Sequence, residues 1–196
     1  MDEKNYQDHF FKKAKVSGYR SRSAYKLIEL NQKFKILKNN INLLDLGSFP
    51  GGWCQVAKKI IKKGRVLGID KKKVQQIYGV KLIEGDFLNE KLKLQIINHF
   101  HSDINVILSD MAVDTTGNKS LDCIRTNQLC IEVLNFAKKN LKTDGVVVSK
   151  LFMGEDFDIA KSTAKKNFKK INFFKPLSSR KESKETYIHC TGLNTL

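Results

Sequence analysis

Proline is nearly absent from this 196-residue chain, with two in all, so no proline-rich linker separates one unit from another. Internal repeats and low-complexity tracts are missing too. The longest apolar runs are a handful of residues, far short of the roughly 20 that a membrane-spanning helix needs. The opening MDEKNYQDHF has neither an apolar signal core nor an Arg-rich, acid-poor presequence. Together these absences predict one soluble globular domain over residues 1–196, with a basic leader and helix region at about 1–38, and no membrane partner. Cysteine is sparse: Cys54, Cys123, Cys130 and Cys190 show no CxxC and no Cys/His ligand spacing. No metal site or disulfide framework is expected from them, and reduced thiols suit an intracellular protein.

Acidic residues are scarce in two particular places. Residues 12–38 carry nine Lys and Arg against Glu29 alone, and residues 161–184 carry nine against Glu182 alone. Each segment is therefore +8, which accounts for the whole net charge of +16. Lysine bias by itself would not concentrate the excess at two ends of a chain whose middle is balanced. An anionic partner follows, and nucleic acid is favoured over a membrane because no basic helix shows a bulky apolar face.

The middle of the chain alternates in type. Short β-branched runs at INLLDLG (41–47), RVLGID (65–70), VKLIEGDF (80–87), INVILSD (104–110) and GVVVSKLF (145–152) have the length of buried strands. Helical patterns precede or separate them, notably SRSAYKLIELNQKF (21–34), WCQVAKKIIKK (53–63) and residues 121–141, where Cys123, Cys130, Leu134, Ala137 and Leu141 share a face. A helix near 157–168 and strands at KINFFK and ETYIHCTG complete the pattern. The expectation is an α/β fold, a mostly parallel seven-stranded sheet with helices on both faces. Ligands bind such sheets beyond the strands' carboxyl ends, which here carry Asp45, Gly47, Asp70, Asp86, Asp110 and Lys150.

The loop DLGSFPGGW follows the first strand but lacks GxGxxG and GxxxxGK[ST]. Pro50 removes a backbone donor that a phosphate chain would need, so dinucleotide and nucleoside-triphosphate cofactors fit poorly. S-adenosylmethionine, a nucleoside with an amino-acid tail and no phosphate, fits better. Asp70 is placed to accept from its ribose, Asp86 and Phe87 to meet adenine, and Gly47, Gly51 and Gly52 to permit close backbone approach. Lys150 interrupts an apolar strand end, where an ammonium needs a carboxylate or a shifted pKa. Asp110, at the end of the neighbouring strand, is the obvious partner, either in a structural ion pair or in a catalytic one.

The ordered motifs YRSRSAYKL, DLGSFPGGW, GDF, SDMA, SKLF and SSRKESKETY resemble the FtsJ-like ribose 2′-O-methyltransferases across essentially the whole chain. The resemblance implies a Rossmann-like class I S-adenosylmethionine-dependent fold and a monomer. It also implies transfer of methyl to a ribose 2′-hydroxyl of RNA, most directly a uridine of large-subunit ribosomal RNA within a subunit or its precursor. A Lys-Asp-Lys-Glu tetrad would fall on Lys26, Asp110, Lys150 and Glu185, and cofactor contacts on Gly51, Trp53, Asp70, Asp86 and Asp110. Lys150 would act as base, or, if it stays protonated, would steer the hydroxyl oxygen. Val113 and Asp114 stand where the family usually has proline and asparagine, a departure that touches the local loop.

Both basic segments would face RNA, with Arg20, Arg22 and Arg180 as directed phosphate contacts and Tyr19 or Tyr25 able to stack on a base, although Tyr25, on a helix, fits the core equally well. A tRNA anticodon loop is the alternative substrate, and a non-catalytic RNA-binding module is the alternative from another class. The resemblance leaves mitochondrial or other organellar, cytoplasmic and nucleolar locations open. Pyrimidine C5 methylation is disfavoured because Cys123 and Cys130 fall on a helix rather than a strand end. Amino-group methylation is disfavoured because SDMAVDTT is not an Asn/Asp-Pro-Pro-aromatic loop.

Overall fold

The protein is described by a computed structural model covering residues 3–101 and 104–194. Five strands in chain order are β1 (Leu43–Leu46), β2 (Val66–Asp70), β3 (Lys81–Glu84), β4 (Ile104–Ser109) and β5 (Leu141–Phe152), all mutually parallel where they pair. β6 (Phe168–Phe174) and β7 (Glu185–Leu193) complete one seven-stranded sheet ordered β3-β2-β1-β4-β5-β7-β6. β7 runs antiparallel to both of its neighbours, so it enters the sheet at the end where β5 leaves it.

Helices cover both faces, which is why the central strands read as unbroken apolar runs. On one side α2 (Ser23–Phe34) and α3 (Gly52–Ile60) bury Ala24, Leu27, Leu30, Trp53, Val56 and Ala57 against Leu43, Val106, Leu108 and Val148. On the other, α4 (Glu90–Phe100), α5 (Lys119–Asn140) and α6 (Phe157–Asn167) pack Ile96, Phe100, Cys130, Leu134 and Ala164 against Leu44, Ile107 and Val147. Each fully buried leucine in these layers contributes about 1.5–3 kcal/mol of transfer free energy. Among the described residues no helix is long and apolar enough to cross a membrane.

Three local features refine the sequence reading. The basic leader is itself helical, α1 (Glu3–Val16), and lies against α2. Leu141 shares the predicted apolar stripe of α5 but is extended, with ψ 144°, and starts β5 by pairing with Ile104. Burial alone could not separate those two states, since Leu141 is buried in either. On α2 the buried face is Ala24, Tyr25, Leu27 and Leu30, with Ile28 and Phe34 only partly covered. The strand order reverses between β1 and β4, the position where an α/β sheet opens a ligand crevice.

Candidate active site

A cavity of about 860 Å³ opens above that reversal, within the range of small-ligand sites. Gly47, Asp70, Asp86, Phe87 and Asp110 all line it, together with Met111 and Asp114 from the segment after β4 and Gln128 and Glu132 from α5. Gly47 has φ 77°, and a Cβ there would lie 2.8 Å from the Met111 nitrogen, so only glycine lets the two loops approach. Asp70 accepts from the backbone N–H of Lys72 at 2.8 Å and of Phe49 at 2.9 Å, which ties the end of β2 to the glycine loop. Asp86 accepts from Leu88 N–H and meets Lys71 at 3.0 Å; these contacts outweigh its slight burial and hold its carboxyl below the ordinary range.

Several residues singled out in the sequence make other contacts in the structure. Gly51 and Trp53 do not line the cavity. The Trp53 indole is buried, donates to Ser23 O at 2.8 Å and packs on Tyr187, bracing α3 against α2. A Cβ at Gly51 would meet Arg20, and one at Gly52 would meet Ser21, so the close approach these glycines allow is to the segment leading into α2. The Phe87 ring is buried edge-on against Phe136, leaving Phe49 and Leu88 as the exposed apolar groups at that end. Arg20 donates to the carbonyls of Pro50, Gln75 and Gln76, at 3.3, 2.6 and 2.9 Å, and is thus committed to joining the glycine loop to the loop after β2. Tyr25 is core, with its hydroxyl on Ser17 and Lys13, and Tyr19 sits under Lys59, so neither ring presents a free stacking face.

At the inner edge of the cavity the four predicted charges meet. Lys150 Nζ lies 2.7 Å from Asp110 Oδ1 and 3.7 Å from Glu185 Oε2, and Lys26 Nζ lies 2.6 Å from Glu185 Oε1. Parallel pairing of β4 with β5 puts Asp110 beside Lys150, antiparallel pairing of β5 with β7 brings Glu185 to the same end, and α2 carries Lys26 over them. Lys150 also donates to the Asp110 carbonyl at 2.8 Å. Arg22 sits nearby; burial and then the charge of exposed Arg180 lower its pKa, so those two arginines share one corner of the site.

The charge states follow from these contacts. Burial pulls the Lys150 ammonium down, but the facing carboxylates of Asp110 and Glu185 more than reverse it, so it titrates above an ordinary lysine. Asp110 is the mirror case: burial raises its pKa, and Lys150 with Lys26 bring it below the usual carboxylate value. Lys150 is therefore a cation at neutral pH.

Sequence reasoning missed three side chains that build this centre. Tyr187 pairs with Lys150 across the strands and donates to Asp110 Oδ1 at 2.6 Å; burial and both carboxylates push its phenol well above the ordinary value, so it remains a donor. Its position two residues after Glu185 on one strand was a legible signal. Ser179 donates to Glu185 Oε1 at 2.8 Å. Asn127 on α5, fully buried, bonds Phe152 N–H, Phe152 O and Glu155 O at 2.8, 3.0 and 2.7 Å, fastening the end of β5 just past Lys150.

Comparison with known proteins agrees with this architecture. The family model for FtsJ-like methyltransferase matches residues 19–193. The Ribosomal RNA large subunit methyltransferase E of Pelagibacter ubique is 46% identical over 187 residues, covering 95% of this chain and 92% of that protein. A Plasmodium falciparum crystal structure described as a ribosomal RNA methyltransferase superposes with TM-score 0.79 at 32% identity, covering 89% of this chain and 98% of that one. An Aeropyrum pernix fibrillarin, crystallised with natively bound S-adenosyl-L-methionine, shares the fold at TM-score 0.59 and 15% identity, covering 88% of this chain and 75% of that one. With 175 contiguous residues under one family model and a near full-length relative at 46% identity, the chain belongs to the FtsJ-like methyltransferase family.

Proposed function

We propose that the protein transfers a methyl group from S-adenosylmethionine to a ribose 2′-hydroxyl of RNA, in particular of large-subunit ribosomal RNA. The observation that carries the reading is the double position of Asp110, which lines the cavity and also holds Lys150 at 2.7 Å. A ligand in the cavity and a hydroxyl beside Lys150 would thus meet at one carboxylate. The near full-length relative named for large-subunit ribosomal RNA supports the substrate.

The cavity suits this cofactor. Asp70, Asp86, Asp110, Asp114 and Glu132 offer acceptors to hydroxyl and amino groups and suit a cationic ligand, while Ile69, Met111 and Leu129 offer apolar walls. S-adenosylmethionine supplies an electrophilic methyl on a sulfonium sulfur, so attack needs an aligned oxygen more than a strong base. Bound in the cavity, the cofactor would supply the methyl, and the chain's part would be to hold the ribose oxygen in line with it while the hydroxyl proton passes to solvent. Lys150, as an ammonium, would donate to the attacking oxygen and stabilise charge developing on it. Lys26 and Glu185 would fix the ribose from the other side, and Asp110 with Tyr187 would keep Lys150 aimed.

RNA would approach over the basic surface. Arg22 and Arg180 remain as the directed contacts, whereas Arg20 serves the protein's own loops and Lys175 donates to the Lys181 and Ser183 carbonyls. A third basic stretch, residues 58–73, carries eight Lys and Arg against Asp70 alone. It is stitched to the leader by Gln55, which bonds Gly18 and Arg20, and by Lys59 over Tyr19.

The test is transfer of radiolabelled methyl to large ribosomal subunits from cells lacking the corresponding modification, with ribose-methyl mapping of the product. Label on a 2′-oxygen of large-subunit RNA is expected. Label confined to tRNA would move the substrate, label on a base would overturn the reaction, and RNA binding without any transfer would leave a binding module.

A further inference from the structure

Glu29 is the single acid among nine basic residues in 12–38, and the fold gives that exception a reason. It lies on α2 three residues beyond Lys26. Its carboxylate accepts the backbone N–H of Leu177 at 2.5 Å and of Ser178 at 3.0 Å, partners 148 and 149 positions away. Those two residues belong to the loop between β6 and β7, which also carries Arg180, Lys181 and Lys184. Two strongly basic segments thus face each other, and Glu29 is the carboxylate that draws them together. The next residue, Ser179, is buried and donates to Glu185 Oε1, the same oxygen that Lys26 reaches at 2.6 Å. Lys175 closes the loop from within through the carbonyls of Lys181 and Ser183. A continuous set of bonds therefore runs from α2 into the loop and back to the tetrad.

We infer that Glu29 and Ser179 are positioning residues for methyl transfer: they seat the loop before β7 so that Glu185 stays directed at Lys26 and Lys150. The inference rests on the proposed function for its activity readout, and on geometry alone for the rest. Neither residue lines the cavity, so cofactor affinity is independent of them. The charged and titratable groups facing Lys150 are Asp110 after β4, Glu185 and Tyr187 from β7, and Lys26 from α2. Releasing Glu185 removes one of the two negative neighbours, and the Lys150 ammonium then titrates at lower pH.

The experiment uses the full-length chain with Glu29→Gln and, separately, Ser179→Ala. Glutamine keeps one acceptor oxygen but loses the charge that two amides share. Single-turnover transfer to large ribosomal subunits is expected to slow about 10- to 100-fold, as a small misplacement of catalytic groups does. S-adenosylmethionine affinity by calorimetry should stay within about twofold, since the cavity walls are untouched. The Lys150 titration, followed by NMR at its side-chain carbon, should move to lower pH in both variants, and Ser179→Thr should restore rate and titration. Wild-type rates, or slower transfer with an unmoved Lys150 titration, would overturn the inference. If Glu29→Gln fails to fold, Ser179→Ala carries the same test. If the wild-type protein labels no subunit, the functional reading fails, and the Lys150 titration still decides the clamp.

Discussion

A lysine inside a strand end needs a partner, and at residue scale Lys150 has two carboxylates and a carbonyl. Replacing it with alanine is expected to lower methyl transfer at least about 100-fold. Cofactor affinity should be nearly unchanged, because Lys150 lies outside the cavity lining. The same change takes the nearest cation from Asp110, which keeps only Tyr187 among its described side-chain partners, while Glu185 keeps Lys26; the cost should stay below about 3–5 kcal/mol, so thermal unfolding must be measured alongside. As an ammonium that steers oxygen, Lys150 predicts a transfer rate level from pH 7 to 9; a tenfold rise per pH unit would instead mark a base. Asp45 sets a second pH dependence. It is fully buried, its Oδ2 accepts from Cys54 at 3.1 Å and its Oδ1 has no partner among the described residues. Burial raises its pKa from 3.8 to about 7. The folded chain holds this proton more tightly than the unfolded one, so the stabilisation is full below about pH 4 and is lost as pH rises through 7. Urea midpoints should fall over that interval, and Asp45→Asn should flatten the slope. The Asp110 and Lys150 pairing was legible in sequence because adjacent strand ends imply it. The structural partners of Arg20 were not legible, because they are backbone carbonyls of residues far along the chain, which no residue type announces.

At the scale of elements, the joint between α5 and β5 decides how firmly Lys150 is held. Asn118 caps α5 by accepting from Ser120 and Leu121, and Thr116 bonds Asp122, which anchors the loop carrying Val113 and Asp114. The departure from the family pattern in that loop therefore leaves a pinned helix start. Farther along, Asn127 ties α5 to the Phe152 backbone, and Asn127→Ala should cost about 2–4 kcal/mol by orphaning partly buried amide and carbonyl groups. Denaturant unfolding checks the stability, and transfer should slow more than cofactor binding weakens. The helix itself was legible from its apolar spacing. Asn127 was not, because a polar residue within an apolar stripe gives no sign of the strand end it will meet. Leu141 shows the same gap: hydrophobic periodicity marks what is buried, while the switch from helix to strand depends on pairing with Ile104.

Over the whole molecule, charge is arranged by space rather than by sequence. In residues 58–73 the apolar β2 run interrupts and masks a basic stretch, which Gln55 and Lys59 join to the leader. RNA affinity should fall steeply with salt, and Lys62→Gln with Lys63→Gln and Lys72→Gln should reduce the logarithmic salt slope by about 2–3 if each neutralises one phosphate. An unchanged slope in filter binding would remove that stretch from the RNA surface. The mostly parallel sheet and the placement of helices on both faces were readable because alternation of buried runs with amphipathic ones admits few parallel arrangements. The direction of β7 has a further consequence. Every cavity-lining residue lies between Gly47 and Glu132, whereas Lys150 and Glu185 come later. As the polypeptide is translated, every residue that walls the chamber is synthesised before Lys150 and Glu185, and β7, inserted head-first, delivers the last of the four charges.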